Sequence, residues 1–223
     1  SRSLYATIKR TEPMPQPTAP LYIRYIEPLS PAAAAGLVRG ERVMSINGVD
    51  AASVISANDF SARTGNAVGD QLTLVARTAV GVERTVVLSA VEFTLSPVQN
   101  AQYLLTPSGR SIGYVMVKDM IDQGTTARAD LAQAFDGFKA NNVQELVLDL
   151  RYNGGGLVSM AGRVASYAAG SRGLNEDGSR KLFARLLYND KRSAYNQDFG
   201  FTNPAAWAGL SKVYVLAGPR TCS

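Results

Sequence analysis

Residues 145–156 read E-L-V-L-D-L-R-Y-N-G-G-G, and their reading decides the fold. Leu146, Val147, Leu148 and Leu150 make a short apolar run that breaks at Asn153 into Gly154, Gly155 and Gly156. A helical pattern follows at once over 157–169. The spacing predicts a strand, a tight glycine turn and a helix. Successive glycines let the backbone pass through positive φ and leave N–H groups unshielded, which suits a pocket for developing negative charge. A glycine-lined corner used only for close packing is the alternative, and the pattern alone leaves both open.

Composition bounds what surrounds this stretch. The chain has 223 residues, 46% hydrophobic and 18% charged, enough for one large or two ordinary domains. Its net charge is +5, but the basic residues are scattered, so no nucleic-acid footprint is expected. No apolar run reaches the roughly 20 residues needed to cross a bilayer, and the start lacks the pattern of a signal peptide. The opening Ser1-Arg2-Ser3 is compatible with a targeting segment already removed. There is no histidine, which excludes Ser-His-Asp and Cys-His chemistry and histidine metal sites within this chain. The one cysteine, Cys222, excludes an internal disulfide and a cysteine-cluster metal site. No metal or cofactor is expected.

Upstream, 1–20 reads as a short strand over 4–9 and a proline-rich connector. Residues 21–92 read as a small β-rich module. It has strands at 21–26 and 42–46, a helix at 32–37, and a turn at Asn47-Gly48. A helix over 59–64 is started by Asn58, and a hairpin of 71–77 with 83–88 turns at Val80-Gly81. Residues 93–223 read as a second domain. Its strands fall at 91–95, at the join, and at 111–117, 183–188 and 212–217. Helices are expected at 126–139 and 158–169, a turn at 106–109 and a loop over 189–204. Alternating strands and helices argue for an α/β domain with a partly parallel sheet, whose carboxyl edge carries Gly154 and Gly218.

Two resemblances follow from these strings. Residues 26–48, I-E-P-L-S-P-A-A-A-A-G-L-V-R-G-E-R-V-M-S-I-N-G, resemble the PDZ pattern of bacterial proteases. This implies a module that binds an extended peptide at a sheet edge. Around Arg2 to Ala6, where the carboxylate loop of such domains would fall, there is no glycine, a departure from the pattern. The second half, through G-R-S-I-G-Y-V, D-L-R-Y-N-G-G-G and K-V-Y-V-L-A-G-P-R-T-C-S, resembles the C-terminal processing (tail-specific) serine protease family. The resemblance implies an α/β protease core with ClpP/crotonase-like strand-turn-helix repeats, preceded by the small β-rich PDZ domain.

Members of that family activate a serine with a lysine. Their nucleophile is the first serine of an S-A-S-E-like string after a strand. The resemblance therefore makes Ser223 the nucleophile and Gly155, with Gly154 second, the donor of one oxyanion N–H. The second donor, the residue after the serine, and the general-base lysine are expected beyond residue 223, so residues 1–223 alone are expected to be inactive. The family implies polypeptide substrates, unfolded or C-terminal, and a periplasmic, cell-envelope or secreted location. A catalytically inactive scaffold acting through its PDZ module is the competing reading.

Other residues carry plainer readings beside the sharp ones. Cys222 is expected to pack behind the serine. Asp149 is expected to fix the strand end or pair with Arg151, and Asn153 to bond the turn backbone. Tyr152, Tyr188 and Tyr195 either line a groove or pack.

Overall fold

The computed structural model describes residues 19–60, 65, 67–202, 210–218 and 221. Two compact units, 1–95 and 96–223, make up the chain. The expected strand at 4–9, most of the proline-rich connector, Trp207, Cys222 and Ser223 lie outside the described residues.

The first unit is built on an antiparallel sheet of five strands. These are β1 (Leu21–Tyr22), β2 (Arg42–Ile46), β3 (Val49–Asp50), β4 (Gln71–Arg77) and β5 (Glu83–Ser89). Their order is β1-β2-β4-β5, with β3 folded back on β2. Asn47 and Gly48, at φ 48° and 78°, make the two-residue turn that pairs Ile46 with Val49. Helix α1 (Pro31–Ala34) starts from Ser30, whose Oγ accepts the Ala33 N–H, with Pro31 at its first turn. Helix α2 (Ala51–Ala57) starts from Asp50, whose carboxylate accepts the Ala52 and Ser53 N–H groups.

Asn58 is the left-handed cap that ends α2, at φ 50°, and Phe60, two residues on, is again helical. Residues 61–64 are outside the described residues. The sheet and helices enclose Leu37, Val43, Ile46, Val54, Leu74, Ala76 and Val86. Buried Glu41 is held by Arg84, which also donates to the Gly36 carbonyl, so the α1–β2 connection is tied to β5.

The second unit has a four-stranded sheet in the order β11-β8-β7-β6. Its strands are β6 (Val98–Leu105), β7 (Ser111–Val117), β8 (Glu145–Asp149) and β11 (Lys212–Leu216). Strands β7, β8 and β11 are parallel and β6 is antiparallel to β7. Central β8 buries Leu146 and Leu148, which accounts for its near-continuous apolar run. Helix α3 (Ala127–Ala140) places Ala127, Leu131, Ala134, Phe135 and Phe138 on its buried side. Gly113 allows close approach here, since a Cβ would lie 3.1 Å from Val143 and 3.2 Å from the Phe138 ring.

Helix α4 (Val158–Ala169) contributes Met160 and Val164 to the same core. A separate hairpin of β9 (Leu182–Leu186) and β10 (Gln197–Gly200) joins α4 through Phe183, whose ring is 3.2 Å from the Cβ that Gly162 lacks. The Ser166 hydroxyl, fully buried, accepts the Thr202 N–H at 2.8 Å on the same side.

Three expectations are corrected. No strand runs over 91–95; it begins at Val98, directly after Pro97, which has no N–H to give to a ladder. The strand expected over 21–26 is only Leu21–Tyr22. The loop expected over 189–204 contains β10, whose Gln197, Asp198 and Gly200 are exposed and carry no apolar alternation.

Candidate active site

Strands β8 and β11 run parallel and end side by side, with Leu216 opposite Asp149. Asp149 ends β8 as a fully buried carboxylate. It accepts hydrogen bonds from Tyr114 Oη at 2.6 Å and from the backbone N–H and Nε of Arg151 at 3.0 Å each. Burial opposes its ionisation, yet the hydrogen bonds from Arg151 and Tyr114 hold its carboxyl down at about 2. Burial and the neighbouring Asp149 push the Tyr114 hydroxyl up. With every oxygen spent, Asp149 fixes the strand end and orients Arg151, the structural role expected of it.

The sign of its pH dependence follows. The folded value, about 2, lies below the ordinary 3.8, so the stabilisation is complete above that ordinary value and disappears as pH falls through about 2. The span corresponds to about 2 kcal/mol. Urea unfolding at a series of pH values should show this loss between pH ~4 and ~2 in the wild type. Asp149→Asn should start lower at neutral pH and lack the increment; parallel curves would contradict the assignment.

The glycine turn begins with Asn153, which is buried at 3% exposure. Its N–H donates to Leu150 O at 3.0 Å, its Nδ2 to Val117 O at 2.9 Å, and its Oδ1 accepts the Gly155 N–H at 2.8 Å. On the other side the Met120 N–H donates to Gly155 O and the Leu157 N–H to Met120 O, at 2.9 and 2.7 Å. Gly155 and Gly156 have φ of 102° and 137°, and a Cβ on Gly156 would lie 2.4 Å from Met120 O. Among the described residues the N–H groups of Gly154 and Gly156 meet no acceptor. Gly156 lies between the two bonds to Met120, so its own N–H faces away from that segment. The sequence reading named Gly155 and Gly154. Of these two, Gly155 has its N–H engaged by Asn153.

The other half is the turn after β11. Leu150 N–H donates to Leu216 O at 2.8 Å, carrying the β8–β11 pairing one residue past β8. Gly218 passes so close to the Arg151 carbonyl that a Cβ would lie 3.1 Å from it. Thr221 closes the turn, its N–H donating to Gly218 O at 2.9 Å and its Oγ1 accepting the Gly218 N–H at 2.8 Å. Thr221 Oγ1 also donates to Leu150 O at 2.7 Å. Ser223 follows two residues later.

The tyrosines divide. Tyr188 and Tyr195 pack edge to face at 6.1 Å on the exposed β9–β10 hairpin, and Tyr152 lies against the Arg151 guanidinium. Of the lysines, Lys118 pairs with Asp119, Lys181 donates to Arg172 O, and Lys212 lies over the Tyr214 ring.

The architecture is thus an α/β domain with a largely parallel sheet that carries a glycine turn at its carboxyl edge. The model of peptidase family S41 matches residues 111–223, and the chain belongs to that family. It is 36% identical over 137 residues to carboxyl-terminal-processing peptidase 3, chloroplastic, of Arabidopsis thaliana, covering 58% of this chain and 26% of the relative. It is 26% identical over 139 residues to the carboxyl-terminal-processing protease of Picosynechococcus sp., covering 62% of this chain and 32% of the relative. A solved protein of Bacteroides fragilis assigned to the S41 proteases superposes with a TM-score of 0.64 at 30% identity, over 90% of this chain and 52% of that one. The chain therefore spans about a third or less of the curated relatives' length. No helix among the described residues is long and apolar enough to cross a membrane.

Proposed function

We propose that the full-length protein is a serine endopeptidase of the C-terminal processing type, acting on unfolded proteins or C-terminal segments. The observation that carries this is the meeting of two turns at the ends of adjacent parallel strands. One offers the N–H groups of Gly154 and Gly156, which meet no acceptor among the described residues; the other leads in two residues to Ser223.

In this reading Ser223 Oγ attacks the scissile carbonyl carbon and its proton passes to a neutral lysine of the full-length protein. The carbonyl electron pair moves onto oxygen, where a turn amide receives it by hydrogen bond. Collapse of this intermediate breaks the C–N bond, the lysine returns the proton to the leaving amine, and water then hydrolyses the acyl-serine by the same route. An amine with an ordinary pKa of about 10.4 can serve as that base once apolar burial lowers it by several units. The first unit, with its hairpin at Asn47-Gly48 and its short helices, acts as a PDZ module that recruits an extended peptide by strand addition. The site of action is outside the cytoplasm, in the envelope or beyond it.

The test is cleavage of a denatured protein by the full-length enzyme and its Ser223→Ala variant. Loss of cleavage is expected, and unchanged cleavage would refute the assignment.

A further inference from the structure

One carbonyl oxygen joins the two turns. Leu150 O accepts the Asn153 N–H, which opens the glycine turn, at 3.0 Å. The same oxygen accepts the hydroxyl of Thr221, which closes the turn after β11, at 2.7 Å. A carbonyl has two lone pairs, and here one serves each half of the site. The Leu150 N–H donates to Leu216 O, so both polar groups of this residue are used in holding the two chain ends together.

Thr221 is the only described residue after Gly218, and its hydroxyl does two things at once. It accepts the Gly218 N–H, setting the shape of its own turn, and donates across to Leu150 O, setting the distance between turns. A serine would keep both bonds. A valine, nearly the same shape, would leave the Gly218 N–H and one Leu150 lone pair without their partner.

From this we infer that Thr221 is a positioning residue for the peptidase reaction. Its hydroxyl acts through the Gly218 N–H and Leu150 O, holding the turn that leads to Ser223 against the glycine turn. This rests on the reading of Ser223 as nucleophile. The effect belongs to the chemical step, because the reacting carbonyl must sit between Ser223 Oγ and an amide hydrogen. Misplacement on the order of 1 Å in such a site costs about 100-fold in rate.

The experiment compares wild-type full-length enzyme with Thr221→Val, Thr221→Ser and Ser223→Ala, measuring kcat and KM on a peptide and the labelling rate by a serine-reactive fluorophosphonate. Thr221→Val should lose about 100-fold in kcat and labelling rate with KM within about twofold, and Thr221→Ser should recover to within about threefold of wild type. If Thr221→Val fails to fold, Thr221→Cys, similar in size to serine and a weak donor, carries the same comparison. The proposal is overturned if the valine or cysteine variant keeps wild-type kcat, if serine fails to rescue, or if the loss appears in KM alone. An active Ser223→Ala enzyme would instead overturn the nucleophile assignment, and the positioning role with it.

Discussion

Ser223→Ala in the full-length protein is expected to lower kcat on a denatured substrate by about a millionfold, to the residual rate that binding and amide stabilisation supply. The size of the loss follows from the division of labour proposed for the site. Without the hydroxyl no acyl-enzyme forms, and the lysine has no proton to accept from the nucleophile. The amides of Gly154 and Gly156 remain, so substrate should still bind, and KM should change much less than kcat. A loss confined to KM would show that Ser223 contacts the substrate without reacting with it.

Gly156→Ala should have the next largest effect. Its Cβ would lie 2.4 Å from Met120 O, a backbone atom that cannot move independently of the segment it belongs to. The residue also sits at φ 137°, where an L side chain is strained. The turn must therefore shift, and with it the N–H that faces away from Met120. In the proposed mechanism this displaces one oxyanion donor, a loss of about 100- to 1,000-fold in kcat. Backbone strain should add about 1 to 3 kcal/mol of destabilisation, read by urea unfolding. Gly178→Ala is the control: φ there is 79°, but nothing lies within 4 Å of the added methyl, so stability should fall without loss of activity. Wild-type kcat in Gly156→Ala would remove this amide from the mechanism.

The strand, glycine turn and helix over 145–169 were legible because each leaves a local signature. A buried parallel strand is continuously apolar, positive φ selects glycine, and α4 repeats its apolar residues at helical spacing. Strands β6 and β10 were missed or misplaced for the opposite reason. Most of their side chains face solvent, so the polar residues of Gln99, Asn100 and Gln102 or Gln197 and Asp198 carry no alternation. Helix α2 was missed because its signal lies in its caps: Asp50 begins it, and Asn58, which can start or end a helix, ends it.

Within the site, residue types were readable but hydrogen-bond allegiance was not. That Asn153 bonds the turn was foreseen from its side chain. That it takes the Gly155 N–H, leaving those of Gly154 and Gly156, depends on how the buried carboxamide is anchored at Val117 O, a contact 36 residues away in sequence. The bond from Thr221 to Leu150 spans 71 residues and exists only because β11 pairs with β8 in one register. No local pattern announces it.

The most direct measurement is a crystal structure of the full-length protein with a peptide boronate on its serine. A tetrahedral boron bonded to Ser223 Oγ is expected, with one boronate oxygen about 2.7 to 3.1 Å from the N–H nitrogen of Gly154 or Gly156. The Thr221–Leu150 and Asn153–Gly155 bonds should be intact beside it. A boronate bonded to another residue, or one whose oxygens point away from the glycine turn, would contradict the proposed mechanism.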